Sequence, residues 1–258
     1  TVLVNATRGV ILSTGDISSD REMLTYYAPQ ALRYGQFFSS FDRDGNMVNA
    51  GDGHKMALWA GAAMEDGPYA PMTHSLGTNS VGIDPFLMVN KDGERFTDDG
   101  QYWSNSRSRD LIKQGINPDT GTYFAYTVID QNIYDAAMAQ GNPLGLTESK
   151  LEYLVSGETI EELAEKMDMD PGVFTETIVT YNDACTSGND AEFGKDAQYL
   201  KAVDGAPYYA IKAMPAMYGS GGALDVDAQL RVLKTDGETP INGLYAVGQD
   251  SFGVIQSN

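Results

Sequence analysis

The sequence predicts an α/β protein in which a second domain, of the α+β class, is inserted between two segments of the first. Strand-helix patterns occur at both ends of the chain, and the middle mixes helical periodicity with hairpin signals. A length of 258 residues is sufficient for two domains of ordinary size. We therefore expect segments 1–73 and 213–258 to form one domain and residues 74–212 to form the inserted one.

The first strand and the first helix are predicted near the start of the chain. Residues 8–14 form a short apolar, β-branched run that ends at Gly15, which is typical of a buried strand in a parallel sheet. Ser18 or Ser19 is expected to cap the following helix. This helix should end before Pro29, because proline disfavours the helical conformation of the residue that precedes it.

A second helix is predicted to begin at the segment Gly51-Asp52-Gly53. Small and apolar residues follow at helical spacing, which indicates close packing of this helix against a sheet. They are Met56, Ala57, Ala60, Gly61 and Met64. Residues 67–82 are rich in Pro, Gly and Thr, so they are expected to form a connection.

The inserted domain is predicted to contain a hairpin, further strands and a pair of helices. Residues 86–96 carry an Asp-Gly turn signal between two short runs, which is typical of a β-hairpin. Residues 122–130 predict another strand, and residues 159–167 predict an amphipathic helix. Asp170 as N-cap and Pro171 at the first helical position begin a second helix. After residue 207 the pattern returns to strands.

The composition excludes several classes of function. Seventeen basic against 36 acidic side chains give a net charge of −19, which repels nucleic acids and anionic membrane surfaces. No apolar run approaches the roughly 18 to 20 residues of a membrane span. The single cysteine, Cys185, excludes an intramolecular disulfide and a cysteine-rich zinc site. Because the chain starts without methionine inside a predicted strand, we expect it to be part of a longer protein.

Two possible metal sites are not supported by their sequence context. Residues 42–46 begin like a calcium-binding loop, but Met47 occupies the glycine position and Gly53 the final glutamate position, so a turn is expected. Asp98 and Asp99 can act as paired carboxylates, although the hairpin context favours a solvated edge. We therefore predict no metal site.

Five motifs spread over nearly the whole chain carry a family resemblance. They are RGVILSTGD (8–16), GDGHKMALWAGA (51–62), VNKDGERFTDD (89–99), PAMYGSGGALDVDAQLRVL (215–233) and GLYAVGQD (243–250). In their order and separation they resemble the flavoprotein subunits of fumarate reductases and succinate dehydrogenases, with the related ketosteroid dehydrogenases and urocanate reductases.

This resemblance implies a partial, Rossmann-like FAD-binding domain with an inserted capping domain, and FAD as the cofactor. The parent protein is then expected to transfer hydride to or from a carbon-carbon bond that a carbonyl or carboxylate activates. Its expected partners are a small-molecule substrate with such a group and an electron-donor protein. The isolated chain is expected to be inactive, because it lacks the G-x-G-x-x-G fingerprint and the family's last glycine-rich segment with an active-site arginine.

The predicted flavin-binding residues lie at strand ends and helix starts, where small side chains let backbone N–H groups approach a cofactor. They are Thr14, Gly15, Asp16, Gly51, Asp52, Gly53, Gly221, Gly222, Gly248 and Gln249. Asp52 is suited to accept a hydrogen bond from a cofactor hydroxyl. Taken alone, each of these glycines is as consistent with an ordinary turn as with a cofactor contact. Asp16 stands where the family has a glycine, and Gln249-Asp250 replaces its Gly-Glu pair, so both changes alter expected flavin contacts.

Four residues are predicted to be catalytic or to bind substrate. Tyr218 is a candidate proton donor, the alternative being an aromatic residue of a domain interface. Arg107 and Arg109 can hold a carboxylate bidentately or lie at a solvated helix start. His74 falls where the family often has a substrate-binding histidine, but a surface or packed histidine fits as well.

A second interpretation of the function follows from the altered motif positions. A binding or regulatory module that inherited this fold and lost its redox chemistry would also show a changed glycine at Asp16 and a shifted carboxylate at Asp250. Flavin absorbance of the parent protein distinguishes this module from an FAD-dependent oxidoreductase.

Overall fold

The computed structural model describes residues 4–37, 41–74, 85–100, 106–141 and 154–251. The chain divides into two compact units. Unit 1 contains residues 1–33, 37–73 and 217–258, and unit 2 contains residues 34–36 and 74–216. The two units are defined by their compactness alone, which shows nothing about function. The capping role of residues 74–212 therefore stays a prediction.

The strands and helices are numbered in chain order. The strands are β1 (Val10–Leu12), β2 (Gln36–Phe37), β3 (Met72–His74), β4 (Leu87–Val89), β5 (Ala125–Asp130), β6 (Leu154–Gly157), β7 (Tyr208–Ala213), β8 (Ala216–Gly219), β9 (Arg231–Leu233) and β10 (Pro240–Ala246). The α-helices are α1 (Arg21–Tyr27), α2 (Asp52–Trp59), α3 (Ser106–Lys113), α4 (Gln131–Ala139), α5 (Ile160–Lys166) and α6 (Pro171–Ser187). Short 3-10 turns cover Pro29–Arg33, Ala197–Tyr199 and Gly248–Ser251. Strands β2, β8 and β3 form a sheet in that order.

Unit 1 contains a three-stranded sheet with the order β1-β10-β9. Strand β1 runs parallel to β10, as predicted, and β9 runs antiparallel to it. The prediction that β1 is buried was wrong, because this strand lies at the edge of the sheet and only Leu12 enters the core. Val10 and Ile11 are 47% and 66% exposed.

The two α-helices described in unit 1 begin at Asp20 and at Gly51. The carboxylate of Asp20 accepts a hydrogen bond from the Met23 N–H and caps α1, so the predicted serine caps were wrong. The backbone N–H of Ser18 donates instead to Asp16. Helix α1 ends before Pro29, as predicted.

Helix α2 turns a different face to the core from the one expected. Gly53, His54 and Ala57 are buried, whereas Met56 is 48% exposed. Ala57 packs in a cluster with Ala62, with Leu12, Val232 and Ala246 of the sheet, and with Leu224 and Val226 of the segment that precedes β9. The predicted packing of this helix against a sheet is therefore confirmed through Ala57.

Unit 2 contains an antiparallel four-stranded sheet with the order β4-β5-β7-β6. The predicted helix pair is present as α5 and α6, with Thr159 and Asp170 as N-caps. The core between sheet and helices includes Val128, Leu163, Phe174, Ile178, Tyr181 and Ile211. Helix α6 continues to Ser187 and ends at Gly188, which adopts the left-handed conformation that glycine tolerates.

The predicted hairpin at residues 86–96 was wrong. Strand β4 pairs with β5, and residues 94–96 are not a strand. The local hydrogen bonds form a turn in which Asn90 Oδ1 accepts from the N–H groups of Asp92 and Glu94.

The prediction that Asp98 and Asp99 form a solvated edge was wrong for Asp99. Its side chain is fully buried, and Oδ1 lies 2.9 Å from Lys195 Nζ and 3.4 Å from an Arg95 nitrogen. Its Oδ2 accepts from the Met88 N–H. Buried carboxylates require such partners, so Asp99 is a central residue of the unit 2 interior.

None of the helices in the described ranges combines the length and the apolar character needed to cross a membrane.

Candidate functional site

Several segments of unit 1 meet around the buried carboxylate of Asp250. The Thr14 backbone N–H donates to Oδ2, and the Thr14 hydroxyl donates to Oδ1 at 3.0 Å. The Thr14 hydroxyl oxygen accepts from the Gly53 N–H at 3.1 Å. The Leu224 N–H donates to the backbone oxygen of Asp250. The end of β1, the start of α2, the segment before β9 and the turn after β10 are thus tied together.

His54 lies beside this carboxylate and is fully buried. Its Nδ1 is 3.6 Å from Asp250 Oδ1, and neither ring nitrogen has a hydrogen-bond partner within the described ranges. Burial lowers the pKa of His54 and outweighs the opposite effect of the carboxylates of Asp250 and Asp16. The imidazole is therefore neutral at physiological pH.

Asp16, a predicted flavin-binding residue, stabilises the loop after β1 through hydrogen bonds. Its Oδ1 accepts from the Ser18 N–H at 3.0 Å and from Asn49 Nδ2 at 2.9 Å. Its backbone oxygen accepts from the Gly51 N–H at 3.1 Å. Gly15 has a φ of +94°, and a Cβ there would lie 3.0 Å from the Asn49 side-chain oxygen, so glycine is required.

Three of the predicted flavin-binding residues are exposed near this buried network. Thr14 ends the segment after β1, Asp52 begins α2, and Gly248 begins the turn after β10. Gly248 has a φ of +63°, and a Cβ built on it would meet no protein atom within 4 Å. The Asp52 carboxylate and the backbone at Gly248 are thus accessible to a ligand, and their contact with a cofactor stays a prediction.

The predicted glycines 221 and 222 pack against another segment of the same unit. A Cβ at Gly221 would collide with the Ala70 carbonyl oxygen, and one at Gly222 would collide with the Tyr69 ring. This packing accounts for both glycines, and their contact with a cofactor stays a prediction.

Tyr218 and Gln249 lie next to each other in unit 1. Gln249 Nε2 donates to the Tyr218 backbone oxygen at 3.4 Å. The Tyr218 side chain is half-buried, and burial raises the pKa of its hydroxyl. The hydroxyl is protonated at neutral pH, as an ordinary phenol is, and its role as proton donor stays a prediction.

The remaining predicted site residues belong to unit 2. Arg107 is buried in α3 and donates to the Asp99 backbone oxygen at 2.5 Å. Arg109 is exposed and pairs with the carboxylate of Asp110 at 3.1 Å. The His74 side chain lies outside the described residues. The catalytic roles of the arginines and of His74 stay predictions.

The pairing of His54 with Asp250 was not predicted from the sequence. His54 follows directly on the Gly51-Asp52-Gly53 motif, and Asp250 follows directly on Gly248-Gln249, so both stand next to predicted site residues. Their contact joins positions that are far apart in the sequence, and no local pattern reveals it.

Comparison with known proteins gives a consistent result. Residues 1–257 match the model of a family described as FAD binding domain. The chain is 29% identical to the NADH:acrylate oxidoreductase of Vibrio harveyi, in a match that covers 100% of this chain and 25% of that protein. It is 30% identical to a probable fumarate reductase of Shewanella frigidimarina, with 96% and 40% covered. It is 27% identical to the urocanate reductase of Eggerthella lenta, with 97% and 41% covered.

Solved structures share the fold. The open conformation of a flavocytochrome c3 fumarate reductase matches with a TM-score of 0.64 and 29% identity, over 96% of this chain and 41% of that one. A 3-ketosteroid delta1-dehydrogenase from Sterolibacterium denitrificans matches with a TM-score of 0.72 and 21% identity, over 95% and 48%. This chain thus spans between a quarter and about half the length of the proteins it matches.

Proposed function

The chain belongs to the FAD binding domain family of oxidoreductases, and we propose that its parent protein transfers hydride to or from a carbon-carbon bond next to a carbonyl or carboxylate. The observation that carries this proposal is the chemistry shared by the relatives. Acrylate, fumarate and urocanate, named in three of them, each have a double bond conjugated to a carboxylate. The substrate proposed for this protein is therefore a small unsaturated acid or a related carbonyl compound.

The cofactor is FAD, and unit 1 offers residues that fit part of it. When bound, FAD supplies the two-electron redox chemistry. Asp52 would accept a hydrogen bond from a cofactor hydroxyl, and the backbone at Gly248 would lie against a flat part of the cofactor. Asp250 acts through Thr14 and Gly53, because its hydrogen bonds fix the loop and the helix start that carry Asp52.

Tyr218 is the proposed proton donor. Reduction of a conjugated double bond adds hydride to the carbon remote from the carboxylate and a proton to the adjacent carbon. The Tyr218 hydroxyl is protonated at neutral pH, as an ordinary phenol is, and burial raises its pKa further. In the direction of dehydrogenation the same oxygen would accept the proton only in its deprotonated, phenolate form.

Arg107 is the proposed carboxylate-binding residue. Its guanidinium is buried and oriented by the Asp99 backbone oxygen, whereas Arg109 is exposed and paired with Asp110. A fixed planar guanidinium binds a carboxylate with two parallel hydrogen bonds and loses less conformational entropy than a mobile one.

The full-length parent protein allows a direct test. We expect the purified protein to show flavin absorbance and to oxidise a reduced dye when fumarate, acrylate or urocanate is added. Saturated analogues of these acids, such as succinate and propionate, serve as controls that cannot accept hydride. A folded, colourless protein would instead support the redox-inactive module. A flavin-containing protein that reduces none of the three acids would contradict the proposed substrate class.

A further inference from the structure

The peptide unit between Asp99 and Gly100 holds the buried guanidinium of Arg107. Its carbonyl oxygen, that of Asp99, accepts a hydrogen bond from Arg107 at 2.5 Å. Its N–H, that of Gly100, donates to the Asp98 carboxylate at 2.9 Å. A rotation of this peptide unit would therefore move the oxygen that orients Arg107.

Lys195 contacts both residues of this peptide unit. Its amine lies 2.9 Å from Asp99 Oδ1, and both side chains are fully buried. Its aliphatic stem lies against Gly100, since a Cβ built on that glycine would be 2.8 Å from Lys195 Cγ. Lys195 thus supports the peptide unit on two sides, through the Asp99 side chain and directly at the Gly100 backbone.

Lys195 is itself held in place by α6 and by the segment that follows this helix. The Tyr181 hydroxyl of α6 accepts a hydrogen bond from the Lys195 amine at 2.8 Å. The Lys195 backbone N–H donates to the Asp190 carboxylate at 3.1 Å. Because the side chains of Lys195 and Asp99 are fully buried, bulk water cannot take the place of the amine.

The other partners of the Asp99 carboxylate are weaker substitutes for Lys195. A nitrogen of Arg95 lies 3.4 Å from Asp99 Oδ1, but the same nitrogen is closer to Asp190, at 2.9 Å. The Met88 N–H, which donates to Asp99 Oδ2, carries no net charge. Among the residues that the structure describes, Lys195 is therefore the nearest cation to Asp99.

We propose that Lys195 is a positioning residue for substrate binding, because it fixes the Asp99 carbonyl oxygen that orients Arg107. This inference rests on the proposed function, in which Arg107 binds the carboxylate of an unsaturated acid. A guanidinium forms two parallel hydrogen bonds with a carboxylate only when the two groups share a plane. Loss of the Lys195 amine should therefore weaken substrate binding and leave the chemical step unchanged.

Lys195→Met in the full-length parent protein tests this role, because methionine keeps an unbranched apolar stem and has no amine. We expect KM for the best of the three unsaturated acids to rise about fivefold or more, with kcat within about threefold of the wild type. Equal KM in Lys195→Met and the wild type would overturn the proposal.

Ile178→Ala is the matched control for a general loss of stability. Ile178 lies in the apolar core of the same unit, and its side chain forms no hydrogen bond or ion pair. Truncation there lowers stability by leaving a cavity, so both KM and kcat should stay near their wild-type values. The same increase in KM in Ile178→Ala as in Lys195→Met would overturn the proposal.

A double-mutant cycle with Arg107→Lys shows whether Lys195 acts through Arg107. In the Arg107→Lys background, Lys195→Met should raise KM by less than about twofold, since the planar contact that Lys195 supports is already lost. A further increase of about fivefold would overturn the proposal. No effect of Arg107→Lys on KM would overturn both this proposal and the carboxylate-binding role of Arg107. An effect of Arg107→Lys without one of Lys195→Met would overturn the positioning role alone.

A charge-balanced variant keeps the proposal falsifiable if Lys195→Met does not fold. Lys195→Met combined with Asp99→Asn removes both charges of the pair, so no carboxylate is left at position 99 without its lysine. The amide at position 99 has lost its ionic partner, so KM should again rise about fivefold or more. A folded double variant with the KM of the wild type would overturn the proposal.

Discussion

Asp250 accepts two hydrogen bonds from Thr14, one from its backbone and one from its hydroxyl, across 236 positions of sequence. One carboxylate thereby fixes the end of the first strand segment. Through the Thr14 hydroxyl it also fixes the N–H of Gly53 at the start of α2. The predicted cofactor residues of unit 1 depend on this connection for their position.

Asp250→Asn is expected to destabilise the folded chain by about 1 to 3 kcal/mol, since an amide supplies one acceptor oxygen where the carboxylate supplies two. Denaturation with urea measures this change in the free energy of unfolding. Asp92→Asn is the control, because Asp92 forms an exposed pair with Lys91 and such pairs contribute about 0 to 1 kcal/mol. Equal stability of the two variants would contradict the structural role of Asp250.

The buried His54 predicts a pH dependence of stability. Its folded-state pKa is lowered from 6.5 by burial, so the unfolded chain binds a proton that the folded chain refuses. The free energy of unfolding is therefore highest above about pH 6.5, and it decreases as the pH falls below that value. His54→Gln should flatten the profile between about pH 5 and 7 in urea denaturation. His74 is the other histidine of the chain. If the profile flattens in His74→Gln and not in His54→Gln, the pH dependence does not come from His54.

Tyr218→Phe in the full-length protein is expected to lower turnover by about a hundredfold or more, because a positioned general acid contributes about 10² to 10⁴. The ring is kept, so flavin absorbance should be unchanged. Steady-state kinetics with the best of the three unsaturated acids measures the effect. Tyr245→Phe in β10 is the control and should retain its rate. A change of less than about threefold in Tyr218→Phe would leave this tyrosine a packing role only.

Arg107→Lys should raise KM more than it lowers kcat, because lysine keeps the charge but loses the planar bidentate contact. We expect an increase in KM of about tenfold. The same substitution at the exposed Arg109 should leave both constants near their original values. The reverse ranking of the two variants would transfer the carboxylate-binding role to Arg109.

The chain of 258 residues is expected to bind FAD weakly on its own. It contains no G-x-G-x-x-G fingerprint, and backbone donors at a helix start supply much of the stabilisation of a bound pyrophosphate. Fluorescence titration of this chain with FAD, next to the full-length protein, measures the difference. Stoichiometric binding by the chain alone at micromolar concentration would contradict this expectation.

Local signals predicted much of the fold. Thr159 before α5 and Asp170-Pro171 before α6 are capping patterns that act within one helical turn, and both helices begin where the sequence places them. The prediction of a hairpin at residues 86–96 was wrong because β4 pairs with β5. Strand β5 lies too far along the chain for a local turn signal to indicate this pairing. Asp99 was misplaced on the surface because the lysine that neutralises it, Lys195, is distant in the sequence.

The candidate site shows the same limit. The motif residues Thr14, Gly51 and Gly53 were found from their neighbours, and the structure brings them together. Asp250, whose carboxylate joins them, was predicted only as the displaced counterpart of a family carboxylate. Its neighbour His54 was not predicted as a site residue. Both contacts depend on tertiary packing, which leaves no periodic pattern in either segment.

Within the described residues, β1 pairs with β10 on one side and has no partner strand on the other. The N–H and C=O groups on that side can pair with a strand of another molecule, and Ile11 adds an exposed apolar surface. Mutual repulsion between chains of charge −19 opposes this contact over about 10 Å at 0.1 M salt. Added salt shortens that range and leaves the strand edge unchanged, so self-association should increase with ionic strength.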